Sequence, residues 1–308
     1  MEKNYSKEEM DVAKKTIQQM TLLDDFLFRQ VVEDKELFQI LTSILLERKM
    51  EFFERTQTEK ILGISPALRE VRLDVFNMDT DRNIYALEMQ KENKGNLRKR
   101  SRLYQAQIDV SLLPKGTKDL NKLSDVFLIM ICPFDLFGKG VCRYTFYEVC
   151  EEFPELKLED GGSRMFINTK GTNRGEFSRE FVELLDYINA PLEEAEKYTT
   201  TEPVRRLHEG IQHLKKLERT VTRYMQRWEQ KIQDIELGRE EGRREGERIG
   251  EARGEARGET RGKAGQIVEM GLEFGLSVSE ILNRLQEKLS ISLSEAEEYF
   301  GIYSGQHV

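Results

Sequence analysis

The run DVFLIMIC (125–132) constrains this chain more than any other stretch. It has the length of a strand and is apolar without alternation, so it reads as a strand buried on both faces. Such a strand needs a sheet covered by helices, and the neighbouring segments supply both. A helical pattern covers about 24–47, where Phe28, Val31 or Val32, Leu37, Ile40, Leu41, Ile44 and Leu45 recur at helical spacing. VRLDVF (71–76) and IYALEMQ (84–90) read as strands separated by the turn-rich NMDTDRN (77–83). A basic loop and helix follow over about 96–113, closed by Pro114 and Gly116. Weaker strands at 142–149 and 164–168 lie around a Gly-Gly turn, and a helix near 176–187 ends before Pro191. The order helix, hairpin, helix, buried strand predicts an α/β fold, a mixed sheet with helices packed against it.

The chain divides into a polar segment without a strong period (1–20), a core domain (21–200), a charged helical stretch with the single tryptophan Trp228 (201–237), a glycine repeat (238–265) and a small helical module (266–308). In the repeat, GREE GRRE GERI GEAR GEAR GETR GKAG, glycine recurs at every fourth position from Gly238 to Gly262. Four residues advance about 400° around a helix, so the glycine stripe drifts about 40° per repeat. Each glycine costs a helix roughly 1 kcal/mol relative to alanine. The same spacing stacks Glu247, Glu251, Glu255 and Glu259 in one column and Arg253, Arg257 and Arg261 in another. Like charges at that spacing cost a few tenths of a kcal/mol each. One solution is self-association, with a second copy packed close on the glycines and wound right-handedly; the other is a flexible charged linker. The 266–308 module carries candidate N-cap serines, Ser277 or Ser279 and Ser292 or Ser294. Across 280–289 it holds only Arg284 and Lys288, too few for a dense basic recognition helix.

Hydrophobic residues make up 38% and charged residues 34%, enough for a core but with an excess of charge that an extended segment explains. The net charge of -8 supplies no global basic field, so nucleic-acid binding has to use a local patch. Cys132, Cys142 and Cys150 are odd in number and lack CxxC spacing, which suggests neither a disulfide framework nor a zinc site. The polar start and the absence of any span-length apolar run predict a cytoplasmic protein with no membrane segment.

Side chains alternate faces along a strand. Asp74 therefore shares a face with Arg72 and Phe76, and Glu88 with Ala86 and Gln90. If Asp74 lies opposite Glu88, the apolar faces of the two strands coincide and the carboxylates sit side by side, about 5 Å apart at Cβ. A hard divalent cation relieves their repulsion. Gln90 can orient a water but brings no positive charge. The residues alone favour the plainer reading, a half-buried hairpin with a polar outer face.

TLLDDFLFRQVVEDKELFQILTSIL, RLDVF, ALEMQ and KRSRLYQAQIDVSLLPKG, in that order over about 20–190, resemble the PD-(D/E)xK nuclease superfamily, and within it the Rpn group of recombination-promoting nucleases and transposases. The resemblance implies a restriction-endonuclease-like mixed central sheet flanked by helices, here with a helical C-terminal extension. It also implies an Mg²⁺- or Mn²⁺-dependent DNA endonuclease, with a role in recombination or mobile-element activity. It carries the central acid over to Asp74, the acid of the (D/E)xK element to Glu88, and its lysine position to Gln90; Asp25 is the match for an acid from the first helix. Gln in place of Lys equally allows a weak or inactive nuclease-fold protein that binds DNA or assembles.

Residues 91–102 hold Lys91, Lys94, Arg98, Lys99, Arg100 and Arg102. Arg100, Tyr104 and Gln107 share a helical stripe, while Leu103, Ala106, Val110 and Leu113 form another, suited to packing on the sheet. Arg98, Arg100, Arg102 and Tyr104 are the candidate DNA-backbone contacts, with a solvated charged face as the bland alternative. Lys91 is expected to point away from Glu88.

Overall fold

The computed structural model describes residues 5–52, 76–112, 116 and 118–305. The chain forms two compact units, Met1–Arg227 and Trp228–Val308.

The first unit opens with α1 (Lys7–Gln18), a helix in the segment read as aperiodic. Its start is fixed by a capping box, in which Ser6 accepts from the Glu9 N–H and Glu9 accepts from the Ser6 N–H. Its buried side is narrow, just Ala13 and Ile17, which is why its period is faint. The helix expected over 24–47 is two helices, α2 (Asp25–Glu33) and α3 (Lys35–Leu46). Asp34 breaks them apart in an extended conformation, and its carboxylate caps α3 by accepting from the N–H groups of Glu36 and Leu37.

The predicted strand 71–76 lies outside the described residues except for Phe76. The described strand β1 (Phe76–Met78) reaches into the stretch read as turn. It pairs antiparallel with β2 (Ile84–Met89), Phe76 opposite Ala86 and Met78 opposite Ile84. The turn itself is held by Asp79, whose carboxylate accepts from the N–H groups of Asp81 and Asn83 at 2.9 and 2.8 Å. Then come α4 (Leu97–Leu112), β3 (Val126–Cys132), β4 (Arg143–Phe146), β5 (Gly162–Asn168), α5 (Arg179–Asn189) and α6 (Glu202–Lys216). The strand order is β1-β2-β3-β5-β4, with β2, β3 and β5 parallel and the two edge strands antiparallel.

The apolar run 125–132 does become a central strand with two buried faces. Ile129 and Ile131 join Tyr85, Leu87 and Ile167 against residues of α2, α3, α5 and α6. Val126, Leu128, Met130 and Cys132 join Ile84, Ala86 and Phe166 against α4. Each such aliphatic side chain contributes about 1.5–3 kcal/mol by leaving water. Burial pushes the Cys132 thiol up to about 12, as befits a core residue.

The sheet-facing stripe of α4 differs from the expected one. Leu97, Ser101, Tyr104 and Ile108 are buried, whereas Leu103 and Val110 are exposed. Helix α4 sits on the face of β2 that carries Glu88, so that face is not an outer surface at all.

The loop from β3 to β4 is organised by Asp135. Its carboxylate accepts from the N–H groups of Gly140, Gly138 and Phe137 and from the Tyr144 hydroxyl. Gly138 and Gly140 take positive φ angles of 69° and 73°, which place their N–H groups toward that carboxylate at little cost. Partial burial opposes ionisation, but these donors outweigh it and bring the Asp135 carboxyl down to about 2. Asp135→Asn should therefore lower stability at neutral pH by about 1 kcal/mol, allowing for solvent screening. Since the folded carboxyl titrates below the unfolded one, the deficit should shrink as pH falls from about 4 towards 2. Chemical denaturation at pH 7 and pH 3 checks this; an equal deficit at both would refute it.

Helix α7 (Glu218–Glu273) begins in the first unit and continues through the glycine repeat. The repeat is thus helical. Its charges help more than the column reading allowed: Arg243 pairs with Glu240 and Glu247, Arg248 with Glu245, and Lys263 with Glu259. A Cβ placed at any glycine from Gly238 to Gly262 would meet nothing within 4 Å. In the second unit the end of α7 packs with α8 (Val278–Leu289) and α9 (Leu293–Ser304) around Val268, Ile281, Leu285 and Phe300. Ser277 and Ser292 are the N-caps, each in a capping box with Glu280 or Glu295.

Candidate active site

Glu88 is the next-to-last residue of β2 and lies beside Met130 of β3. It therefore stands at the carboxyl end of a parallel pair, where open α/β sheets place their ligand sites. It is 4% exposed. Burying a carboxylate is costly without hydrogen bonds or opposite charge, and the neighbourhood provides both. The ladder runs one residue beyond the strand, as the Gln90 N–H donates to the Ile131 carbonyl at 2.8 Å. Alternation brings Gln90 to the same side as Glu88, and its Nε2 donates to Glu88 Oε2 at 3.3 Å. From the second turn of α4, Arg100 donates to Gln90 Oε1. The Arg100 guanidinium lies 5.4 Å from the centre of the Tyr104 ring.

These residues line an open cleft of about 590 Å³. Its opposite wall is the start of α2, with Leu23, Asp24, Asp25 and Arg29; Lys91, Glu92 and Lys94 form its rim. Asp24 accepts from the Thr21 N–H at 2.7 Å and pairs with Lys91 at 3.9 Å. Asp25 pairs with Arg227 of α7, and Arg223, one turn earlier, reaches Glu33 at 2.7 Å. Below them Lys215 is buried and donates to the carbonyls of Gln18 and Met20, the latter at 2.6 Å, tying the end of α1 to the approach to α2. Burial lowers the Lys215 amine, and the Asp24 charge partly restores it.

The structure thus brings Glu88, Gln90, Arg100 and Asp25 into one cleft. Asp74 lies outside the described residues. Tyr104 is a core residue beneath Arg100. Arg98 and Arg102 are exposed on α4 and do not line the cleft. Arg98 stacks 4.9 Å from the Phe137 ring and donates to the Leu136 carbonyl. Lys91 corrects the alternation argument: it follows the strand's end, so the pleat no longer fixes its direction, and it faces the cleft. Arg227, Arg29 and Asp24 escaped the sequence reading. Asp24 carried a signal, being an acid next to Asp25. Arg227 carried none, since it lies 202 residues from its partner. Among the described residues, no group of three or more His, Cys, Asp or Glu side chains is placed to hold a metal ion. The donors at the cleft are nonetheless oxygens, the chemistry of a hard divalent cation.

A mixed sheet flanked by helices, with a buried acid at the carboxyl end of a central strand and basic residues closing over it, has the architecture of a nuclease-type α/β domain. The model of the family described as PD-(D/E)XK nuclease family transposase matches residues 22–173, and that region of the chain is similar to this family. No curated protein and no solved structure matches the chain significantly. Among the described residues no helix is long and apolar enough to cross a membrane.

Proposed function

We propose that the chain is a Mg²⁺- or Mn²⁺-dependent DNA endonuclease acting in the cytoplasm, in DNA recombination or mobile-element activity. The observation that carries this reading is Glu88: a carboxylate buried at a strand end, yet on the wall of an open cleft with basic residues around it. A stability-driven sequence has little reason to bury an acid there. Mg²⁺ takes one or two carboxylates and completes its shell with water and phosphate oxygens. Glu88 meets that donor set with Asp74 as second acid; the pairing of Phe76 with Ala86 is the register that the Asp74–Glu88 pairing assumes. Asp25 is a further candidate ligand once Arg227 releases it. A bound ion would activate water and stabilise charge on a phosphoryl oxygen. Gln90 orients groups at Glu88, while Arg100, Lys91 and Lys94 attract the phosphate backbone into the cleft, with Arg98 and Arg102 extending that contact along α4.

Incubating the full chain with supercoiled plasmid and Mg²⁺ or Mn²⁺ tests this directly: nicking that chelation stops is the expected result. A second reading has its own support, since both Gln90 and Asp25 are already occupied by arginines. On that reading the chain binds DNA through the same cleft and assembles without cutting. Retained DNA binding with no nicking would select it.

Self-association belongs to the same proposal. Trp228, Ile232, Ile235 and Ile249 are exposed on the second unit's part of α7, and the seven open glycines permit close approach of a second helix. Sedimentation should show a dimer or larger species for the full chain and a monomer after truncation at residue 237. A monomer in both cases would remove this element and leave the nuclease reading untouched.

A further inference from the structure

Gln90 is neutral, so the site lacks a charge where a lysine would bring one. Arg100 stands in that place by another route. It comes from α4, ten residues along the chain, and its guanidinium donates to Gln90 Oε1 while Gln90 Nε2 donates to Glu88. We propose that Arg100 is the positioning residue of this site: it locks the Gln90 amide in one orientation and holds a fixed positive charge next to Glu88. The proposal rests on the nuclease reading for its consequence, but not for its geometry.

The two ends of a glutamine amide are alike in shape, and their neighbours decide which way it faces. Arginine donates only, and an ionised carboxylate accepts only. With Arg100 on one side and Glu88 on the other, a single orientation satisfies both contacts, oxygen toward arginine and NH2 toward carboxylate. The flipped amide would set NH2 against guanidinium and oxygen against carboxylate. Both hydrogen bonds are charge-assisted, and each polarises the other. Arg100 is itself held in place. Its guanidinium rests near the ring of buried Tyr104, and its Nε is buried with no hydrogen-bond partner among the described residues. An orphaned buried donor is tolerated where a site demands that geometry. Lysine could not reproduce this planar, ring-supported contact.

The full chain labelled with ¹⁵N-glutamine, free of metal and DNA, gives a readout independent of catalysis. The Gln90 side-chain amide pair is assigned by its loss in Gln90→Lys. Its protons should exchange slowly in the native chain and move to free-glutamine positions, with fast exchange, in Arg100→Gln. Should that variant fail to fold, Arg100→Lys serves for the same comparison. An unchanged Gln90 resonance overturns the proposal. In plasmid nicking, Arg100→Gln should lose about 10²–10³-fold, as when one preorganised donor is removed. Adding Gln90→Lys to it should restore most of that loss, whereas Gln90→Lys alone, with two cations in contact, should cut more slowly than the native chain. Additive losses in the double variant would also overturn the proposal. A native chain that never cuts would sink the nuclease reading, and the amide measurement would still decide the role of Arg100.

Discussion

Glu88→Gln should abolish metal-dependent cutting while leaving the protein at least as stable as the native chain. Both halves follow from where Glu88 sits. It is buried beside Met130 on the wall of the cleft, where Gln90 donates to it and an amide of the same shape could keep that hydrogen bond. Replacing an ionised group there with its amide removes a desolvation cost without changing volume, and such exchanges are commonly neutral or stabilising. The carboxylate is also the best-placed hard donor in the cleft. Loss of a metal's Lewis-acid contribution, worth several kcal/mol, corresponds to about a thousand-fold in rate. A melting curve and a nicking assay on the same preparation separate the two effects. Glu88→Ala should match Glu88→Gln in activity but melt lower, because it adds a cavity. Native-level nicking by the Gln variant would remove Glu88 from the mechanism, and a large drop in its melting temperature would make the acid structural.

The parts of this arrangement that were legible are those whose signal is local. The run 125–132 announces a doubly covered strand because no alternation interrupts it, and β3 is that strand. The strand at 84–90 and the helix at 96–113 were likewise legible as β2 and α4. Their faces were not. Alternation in IYALEMQ looks half-buried, yet Ile84 and Ala86 are as buried as Tyr85 and Leu87 because α4 covers that side. On α4, Leu103 and Val110 advertised the wrong stripe; the sheet instead takes Ser101 and Gln107 beside Tyr104 and Ile108. Small or amide-bearing residues at a sheet carry little hydrophobic signal. The break at Asp34 was hidden because apolar spacing continues across it from Val32 to Leu37. What no local pattern can hold is the closing of the cleft, where Arg100 meets Gln90 and Arg227 meets Asp25. Those contacts are products of the fold, and they are what makes the site more than a carboxylate on a strand.

Glu183→Ala is expected to cost about 3 kcal/mol, because it strips four hydrogen bonds from one buried carboxylate at once. On α5, Glu183 accepts from the N–H and hydroxyl groups of both Thr200 and Thr201, the backbone pair at 2.6 and 2.8 Å. Thr201 is the N-cap of α6 but makes no side-chain cap of its own, so Glu183 does that work from another helix and places negative charge at the helix start. Helix α6 packs against α1, α2, α3 and α5, and through Lys215 it fixes the approach to α2, one wall of the cleft. Burial opposes ionisation of Glu183, but the threonine donors outweigh it and hold the carboxyl below its ordinary value. The sign of the pH dependence follows. The folded form binds its proton less readily than the unfolded chain, so the stabilisation is complete above about pH 4.5 and drains away as pH falls through the lower folded value. The native chain should therefore lose stability on acidification, and Glu183→Ala should lose less of it over the same window. At neutral pH the variant should melt roughly 6–12 °C lower. Its cutting rate, measured well below that melting point, should fall too if the α2 wall depends on α6 for its position. A variant with native melting temperature and a parallel pH curve would show that Thr200 and Thr201 are satisfied without Glu183, and that the wall of the cleft is anchored elsewhere.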